Sequence, residues 1–185
     1  MCIMSHKTLK PRNLEAITIE SIKCADTRSI HESYVFPAQL NNHQMQFGGE
    51  TLRILDANAG LAGVKFVPGN LSFVTAGYDH IQFLSPAKAN DILTCISYVT
   101  GCEGRAIEVF TKFLTTDIKT KEVKVAFIAF CTLIVTNTID EIHFPKLVAE
   151  SEEEKYLLAT YKERLKVRRV ELDDNKTTIS HLSLK

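Results

Sequence analysis

A single acidic residue in an apolar stretch, Asp56, is the first candidate for chemistry in this sequence. The stretch begins at Thr51, after Gly48-Gly49-Glu50, and runs to Phe66. Its apolar residues cover more than one helical face, which predicts a helix buried nearly all round. A desolvated carboxylate is costly unless it is hydrogen-bonded, and buried acids are enriched at functional sites. We therefore expect Asp56 to be catalytic; the alternative is an Asp at a solvated helix edge or bonded to a backbone group. The apolar residues are Leu52, Ile54, Leu55, Ala59, Leu61, Ala62 and Phe66.

The glycine pair predicts an accessible helix start. The first N–H groups of a helix have no internal partner and carry about half a positive charge, so they can stabilise a developing oxyanion. Glycines leave room for a substrate to reach those amides. At about 1.5 Å per residue, Asp56 lies about 10 Å beyond Gly49 along the helix axis. A carbonyl at the helix start is then out of reach of Asp56 in the same chain, which predicts a composite site at a dimer interface.

The segments around this helix predict an α+β domain. Gly60 and Gly63 each cost about 1 kcal/mol inside a helix, which is tolerated where another backbone approaches closely. Strands are expected before the helix at 16–22 and 30–35. After it come four β-rich runs with near period-two patterning, at 71–84, 91–100, 106–116 and 121–136. One helix followed by an antiparallel meander is typical of an α+β fold in which the sheet wraps the helix.

The C-terminal part predicts a further helix. Ser151 to Glu154 form a capping-box pattern that opens a helix to about Arg169. This helix either lies in solvent or packs on a neighbouring subunit through Tyr156, Leu157, Tyr161 and Leu165. The polar tail is predicted to be disordered. The predicted organisation is a flexible arm at 1–13, a single domain at 14–140, a helical extension at 141–170 and the tail at 171–185.

Composition narrows the function classes. The chain has 185 residues with 22 basic and 22 acidic side chains, so nothing favours nucleic acid or an anionic membrane as a partner. An apolar run at 123–135 is too short to span a bilayer. No signal-peptide pattern is present at the start, so we expect a soluble cytoplasmic protein. Scattered cysteines and histidines predict neither disulfides nor a metal site: Cys2, Cys24, Cys95, Cys102, Cys131, His6, His31, His143 and His181. The G-x-S-x-G motif of a serine hydrolase is absent.

The segment from Asn41-Asn42-His43 to Phe47-Gly48-Gly49, with Asp56 fifteen residues after Asn41, resembles the signature of the hotdog-fold acyl-CoA thioesterases, a family of bacterial cytosolic acyl-CoA hydrolases. Residues 78–86 resemble the family's strand ending in F-L-x-P. Residues 106–110 resemble its S-M-E-V strand, and the tail at 144–155 is similar to that of some members. The resemblance covers residues 10–169.

This resemblance implies a long central helix wrapped by a curved antiparallel sheet, and hydrolysis of a fatty or short-chain acyl-CoA by water. Asn41 would hold the thioester carbonyl or the water, and Gly49 would polarise the carbonyl. Asp56 of the partner subunit would act as general base, or as a nucleophile. No cofactor is implied beyond the coenzyme A of the substrate, and the assembly would be a dimer or a trimer of dimers. Further substrate or CoA contacts are expected at His43, Phe47, Gly48, His80, Ser85, Pro86, Arg105 and Ala106, with Arg105 suited to phosphate.

Several points qualify this interpretation. His43 is a candidate acid or base because it carries an imidazole, but in the family's turn it is expected mainly to order the loop. The segment 101–105 departs from the usual G-[KR]-[ST]-S pattern that contacts CoA. Two other functions stay open: a non-catalytic acyl-CoA sensor and a hotdog hydratase or dehydratase. The complete pair of Asn41 and Asp56, and the lack of a preceding helix-turn-helix pattern, favour the thioesterase over the sensor.

Overall fold

A five-stranded antiparallel sheet and one long helix form the centre of the protein. The computed structural model describes residues 20–69, 71–137 and 142–183. The strands in chain order are β1 (Ser21–Lys23), β2 (Ser29–Tyr34), β3 (Phe73–Phe83), β4 (Ile92–Glu103), β5 (Ala106–Thr116), β6 (Val123–Val135) and β7 (Lys146–Val148). The helices are α1 (Gly48–Phe66), α2 (Glu152–Ala159) and α3 (Tyr161–Ser180).

The main sheet has the strand order β2-β4-β5-β6-β3, so β2 and β3 are its edges. Strands β1 and β7 form a separate parallel pair. The α+β prediction is confirmed, and β5 has the predicted bounds. Strand β7 was missed because three residues carry no recognisable period. The predicted arm at 1–13 and most of the predicted strand at 16–22 lie outside the described residues. The domain boundaries stay a prediction.

Helix α1 packs on one face of the sheet through one of its own faces. Its residues Ile54, Leu55 and Ala59 are buried there. The prediction that the helix is buried nearly all round is wrong for the single chain, because a sheet covers only one side of a helix. On the other side Leu61 and Val64 are 55% and 64% exposed. Asp56 also lies on this exposed side.

Of the two polar residues that α1 buries, Thr51 and Asn58, Asn58 is the more deeply buried. Its side-chain oxygen accepts a hydrogen bond from the Ser29 hydroxyl, and its amide donates to the Ser97 hydroxyl, both at 2.8 Å. The amide also lies 3.3 Å from the backbone oxygen of Cys95. These bonds tie the middle of α1 to β2 and β4. Residues two apart on a helix point in different directions, so the same bonds keep Asp56 turned away from the core.

The two glycines inside α1 differ in their surroundings. A Cβ built on Gly63 would lie 2.4 Å from the Leu133 side chain and 2.9 Å from the Phe73 ring. The sheet therefore packs closely on α1 at Gly63, but through side chains and not through the backbone that the prediction named. For Gly60 the prediction is wrong within the described chain, where no atom from outside the local helix backbone lies within 4 Å of such a Cβ.

Helices α2 and α3 cover the other face of the sheet. The predicted capping box is confirmed, since the Glu154 amide donates to the Ser151 hydroxyl at 3.2 Å and the Glu154 carboxylate accepts from the Ser151 amide at 3.1 Å. The predicted single helix breaks at Thr160. Arg164 donates to the Leu157 carbonyl at 2.6 Å, which satisfies an acceptor freed by the break.

Two further predictions about this region need correction. Leu157, Tyr161 and Leu165 are buried against their own chain, so they are not a surface for a neighbouring subunit. The tail predicted to be disordered continues α3 as far as Ser180. A packed helix grows by adding one hydrogen bond per residue, and polar side chains do not prevent this. Residues 184–185 lie outside the described part. Among the described helices, none has the length and apolarity required to cross a membrane.

A buried cluster of charges fixes α3 to the sheet. The Glu108 carboxylate, which is 0% exposed, forms ion pairs with the guanidinium groups of Arg164 at 2.7 Å and Arg168 at 3.0 Å. Thr100 also donates to the Glu108 carboxylate at 2.8 Å. Arg168 contacts Asp79 of β3 at 2.6 Å. The cluster therefore connects α3 to the middle strand β5 and to the edge strand β3.

We predict that Glu108→Gln strongly destabilises the fold. The substitution keeps the side-chain size but removes the negative charge between two guanidinium groups. Breaking a buried ion pair from one side costs about 3–5 kcal/mol, so the free energy of unfolding should fall by about that amount. Urea denaturation at one fixed protein concentration measures the change.

The matched control is Glu152→Gln. The Glu152 carboxylate pairs with Lys155 at 2.8 Å but is 91% exposed. Exposed pairs contribute little to stability, so the control should unfold close to the wild type. An equal loss of stability in both variants would contradict the role given to the buried cluster.

Candidate active site

An open cavity of about 340 Å³ lies where the start of α1 meets the end of β3. Leu93, Phe113 and Phe127, which are almost completely buried, form its floor. Polar groups at its mouth come from Asn41, Gln46 and Ser85. A cavity with an apolar floor and a few polar groups at its entrance suits a ligand with an apolar chain and a polar head. The other lining residues are Met45, Gly48, Thr51, Phe83, Leu84, Pro86, Ala87 and Ala126.

Asn41 organises the turn at the mouth of this cavity. Its side-chain oxygen accepts hydrogen bonds from the backbone amides of His43 at 2.8 Å and Met45 at 3.3 Å. The turn has Gln44 at a φ of 60°. It is held against the next segment by the Gln46 amide, which donates to the Ala87 carbonyl at 2.8 Å. Both contacts of Asn41 involve N–H donors, so the side-chain atom facing them must be the oxygen.

This orientation determines what Asn41 offers to a ligand. Its oxygen is used by the turn, while its NH2 group has no hydrogen-bond partner in the described part of the chain. The NH2 group is a donor only. Asn41 therefore presents a fixed hydrogen-bond donor at a cavity wall.

The start of α1 supplies further donors. Phe47 is the N-cap residue and makes no side-chain capping bond. The amides of Gly48 and Gly49 precede the first intrahelical hydrogen bond, and no acceptor for them occurs within residues 20–69, 71–137 or 142–183. Gly48 lines the cavity beside Asn41. Gly49 lines a separate groove with Phe47 and Glu50, so Gly48 is the glycine that shares the cavity with Asn41.

Asp56 lies outside the cavity, on the exposed side of α1. Its Oδ1 atom accepts a hydrogen bond from the Thr75 hydroxyl at 2.8 Å and another from the Tyr78 hydroxyl. Burial, together with the neighbouring Asp56 carboxylate, raises the pKa of Tyr78 well above its usual range. The expectation that Asp56 is buried is wrong in the single chain, because α1 turns it toward the open edge of the sheet at β3.

Thr75 and Tyr78 were not singled out as partners of Asp56 from the sequence. Their contact depends on how β3 aligns with α1, and no local pattern encodes that alignment. A Thr and a Tyr three residues apart are ordinary in a strand. Only the packing of the two elements gives them a role.

The remaining predicted contacts separate into two groups. Ser85 and Pro86 line the cavity, although the Ser85 hydroxyl donates to the Val125 carbonyl at 2.9 Å. His43 and His80 are exposed and do not line it. His80 has a φ of 51° at an irregularity of β3, and its ring packs edge-on against Phe130 with centroids 6.1 Å apart.

Arg105 and Ala106 lie at the far end of the sheet from the cavity. Ala106 begins β5 and pairs with Ile134, whereas the cavity contains Phe113 of the same strand. Seven residues of strand span about 23 Å. One chain therefore does not bring these two residues to the cavity.

Comparisons with known proteins identify the class. A long helix packed in a curved antiparallel sheet, with a cavity at the helix start, defines a hotdog-fold protein. The structure superposes on the acyl-CoA hydrolase of Bacillus cereus with a TM-score of 0.80 and 25% identity, covering 88% of this chain and 98% of that one. It superposes on a hexameric acyl-CoA thioesterase with a TM-score of 0.72 and 26% identity, covering 89% and 100%.

The sequence is 30% identical over 153 residues to YkhA of Bacillus subtilis, described as an uncharacterized acyl-CoA thioester hydrolase, covering 82% of this chain and 88% of that protein. The chain belongs to the acyl-CoA thioester hydrolase family. The family and the hotdog fold predicted from the sequence are therefore confirmed. No family model matches the chain.

We predict that Asn41→Ala destabilises the turn while Asn41→Asp does not. Alanine leaves the amides of His43 and Met45 without their acceptor, and losing such bonds costs about 1–2 kcal/mol. An aspartate oxygen accepts the same two bonds. Urea denaturation of both variants measures the difference. Equal stability of the two would show that the turn does not depend on this acceptor.

Proposed function

We propose that this protein hydrolyses the thioester bond of a fatty or short-chain acyl-CoA to a carboxylic acid and free coenzyme A. The observation that carries the proposal is that two donors without an acceptor among the described residues, the Asn41 NH2 group and the Gly48 amide, lie together at the mouth of an apolar cavity. The cavity floor suits an acyl chain, and the donors suit a thioester carbonyl. No cofactor is required, since coenzyme A is part of the substrate and product.

The donors would act on the charge that develops during hydrolysis. When water attacks the thioester carbon, the carbonyl oxygen becomes an oxyanion. Asn41 and the helix-start amide of Gly48 are fixed before the reaction, so they stabilise that oxygen without reorganising. The helix macrodipole adds to the effect.

The carboxylate of Asp56 would take the proton from the attacking water. The tetrahedral intermediate then collapses, the carbon–sulfur bond breaks, and the proton passes to the coenzyme A thiolate. The products are the carboxylic acid and the free thiol, so one water is consumed per thioester. In the other form of the mechanism, an Asp56 oxygen attacks the carbon, the carbon–sulfur bond breaks and coenzyme A leaves as the thiolate. Water then hydrolyses the resulting anhydride, which frees the carboxylic acid, regenerates the Asp56 carboxylate and supplies the proton that the thiolate takes up.

The position of Asp56 supports a site shared between two copies. Asp56 and Thr75 of the same chain, which donates a hydrogen bond to it, face the open edge of the sheet at β3. Helix α1 runs antiparallel to β3, because a Cβ built on Gly48 would lie 3.4 Å from the Phe83 ring and one built on Gly63 would lie 2.9 Å from the Phe73 ring.

Two copies related by a two-fold axis can pair their β3 edges antiparallel and continue the sheet. The Phe83 end of one copy then lies beside the Phe73 half of the other, where Asp56 is located. Asp56 of the partner subunit would thus approach the Gly48 amide and Asn41. The same pairing moves the partner's Arg105 toward the cavity end, where a CoA phosphate could bind. Three such dimers would form a hexamer, the assembly of one of the similar thioesterases.

We expect purified wild-type protein to release free thiol from at least one member of a panel of short- to long-chain acyl-CoAs. Asp56→Asn should lower the rate by at least about 10²–10³, since it removes the group that accepts the water proton. The control is Asp174→Asn, an exposed position on α3, which should keep wild-type activity. Binding of acyl-CoA without thiol release from any member would favour the sensor over the hydrolase.

We also expect two inactive variants to complement each other. Asp56→Asn and Asn41→Asp each damage a different half of a shared site. When they are co-expressed with different tags, mixed dimers contain one site with both residues intact. Random pairing should therefore restore about a quarter of wild-type thiol release. A site contained within one chain would give no recovery, because every chain carries one damaged residue.

A further inference from the structure

We infer that Tyr78 is a positioning residue for the reaction. Its hydroxyl occupies Oδ1 of Asp56 and leaves Oδ2 as the atom that accepts the proton from water. The inference rests on the proposed function, because it assigns a role within the same site. Tyr78 does not line the cavity, so it would act through Asp56 and not on the substrate.

The ring of Tyr78 is held in place by the core. Tyr78 lies opposite Cys131 of β6 in the sheet, and its ring packs against both core clusters between α1 and the sheet. A tyrosine has few rotatable bonds, so a packed ring leaves its hydroxyl little freedom. The hydroxyl emerges from this core at Asp56. Its position is therefore determined by packing and does not depend on the hydrogen bond alone.

Both hydrogen bonds to Asp56 reach the same oxygen. The hydroxyls of Thr75 and Tyr78 donate to Oδ1, and no donor to Oδ2 is found in the described parts of the chain. A carboxylate oxygen has about two lone-pair sites. Oδ1 is thus filled, and Oδ2 is the oxygen left for a water molecule.

The charges near Asp56 favour this arrangement. Burial and the Asp56 carboxylate both raise the pKa of Tyr78, so the phenol stays protonated and can only donate to a carboxylate. Burial, and to a smaller extent the negative charge of Asp56, raises the pKa of the Cys131 thiol on β6 to about 12. That thiol stays neutral near pH 7 and adds no charge beside Asp56.

The test is the pH dependence of kcat/KM for Tyr78→Phe. Phenylalanine keeps the packed ring and removes the hydroxyl. The ionised carboxylate loses a donor that stabilises its charged form, so the acidic limb of the profile should move to higher pH by about 0.5–1 unit. The kcat should fall about ten-fold at neutral pH, as expected for loss of one hydrogen bond to a charged group. The KM should stay near the wild-type value, because Tyr78 does not contact the cavity.

Two further variants make the outcome specific. Tyr156→Phe removes a tyrosine hydroxyl from an exposed position on α2, and its profile should match the wild type. Thr75→Val removes the other donor to Oδ1 and should move the acidic limb in the same direction as Tyr78→Phe. Thermal unfolding of each variant verifies that the fold is kept.

The results separate this inference from the proposed function. If Asp56→Asn keeps full activity, the role proposed for Asp56 fails and that of Tyr78 fails with it. If Asp56→Asn is inactive but Tyr78→Phe keeps the wild-type acidic limb, only the role of Tyr78 is overturned. A rate that falls equally at every pH would also overturn it, since a general structural defect lowers the rate without moving the limb.

Discussion

The packing of α1 on a single sheet is the constraint on which the rest of the structure depends. A helix touching one sheet buries only one side, and here that side is fixed by the close approach at Gly63 and the buried amide of Asn58. Once this side is fixed, the start of α1 must lie over the cavity and Asp56 must face the open edge. The donors and the carboxylate are therefore separated within one chain by the geometry of the helix itself.

The parts of the fold that repeat locally could be predicted from the sequence. Strand β5 is rich in β-branched and aromatic residues with near period-two patterning, and the capping box at Ser151 is a local signal. Helix α1 was also predicted, but its exposure was not. Counting apolar residues around a helix shows how many faces are apolar and not how many are covered. Leu61 and Val64 are apolar but exposed, because the sheet covers only the other side of α1.

Interactions between distant segments could not be predicted in the same way. Glu108 and Arg168 are sixty residues apart, and nothing near either one indicates the other. The same is true of the bond between Tyr78 and Asp56, which depends on the alignment of two packed elements. At the candidate site, the motif led to Asn41 and the glycine pair. The orientation of the Asn41 amide came only from the contacts of its oxygen with the turn.

The irregular shape of strand β3 has a consequence for how chains recognise one another. Its register shifts twice, between Thr75 and Gly77 and between Asp79 and Gln82. A straight exposed edge accepts almost any other strand and is a starting point for aggregation, whereas bulges restrict which strands fit. A strand with two kinks is matched best by one that bends at corresponding places. In the proposed dimer, this edge would therefore favour an identical chain over unrelated strands.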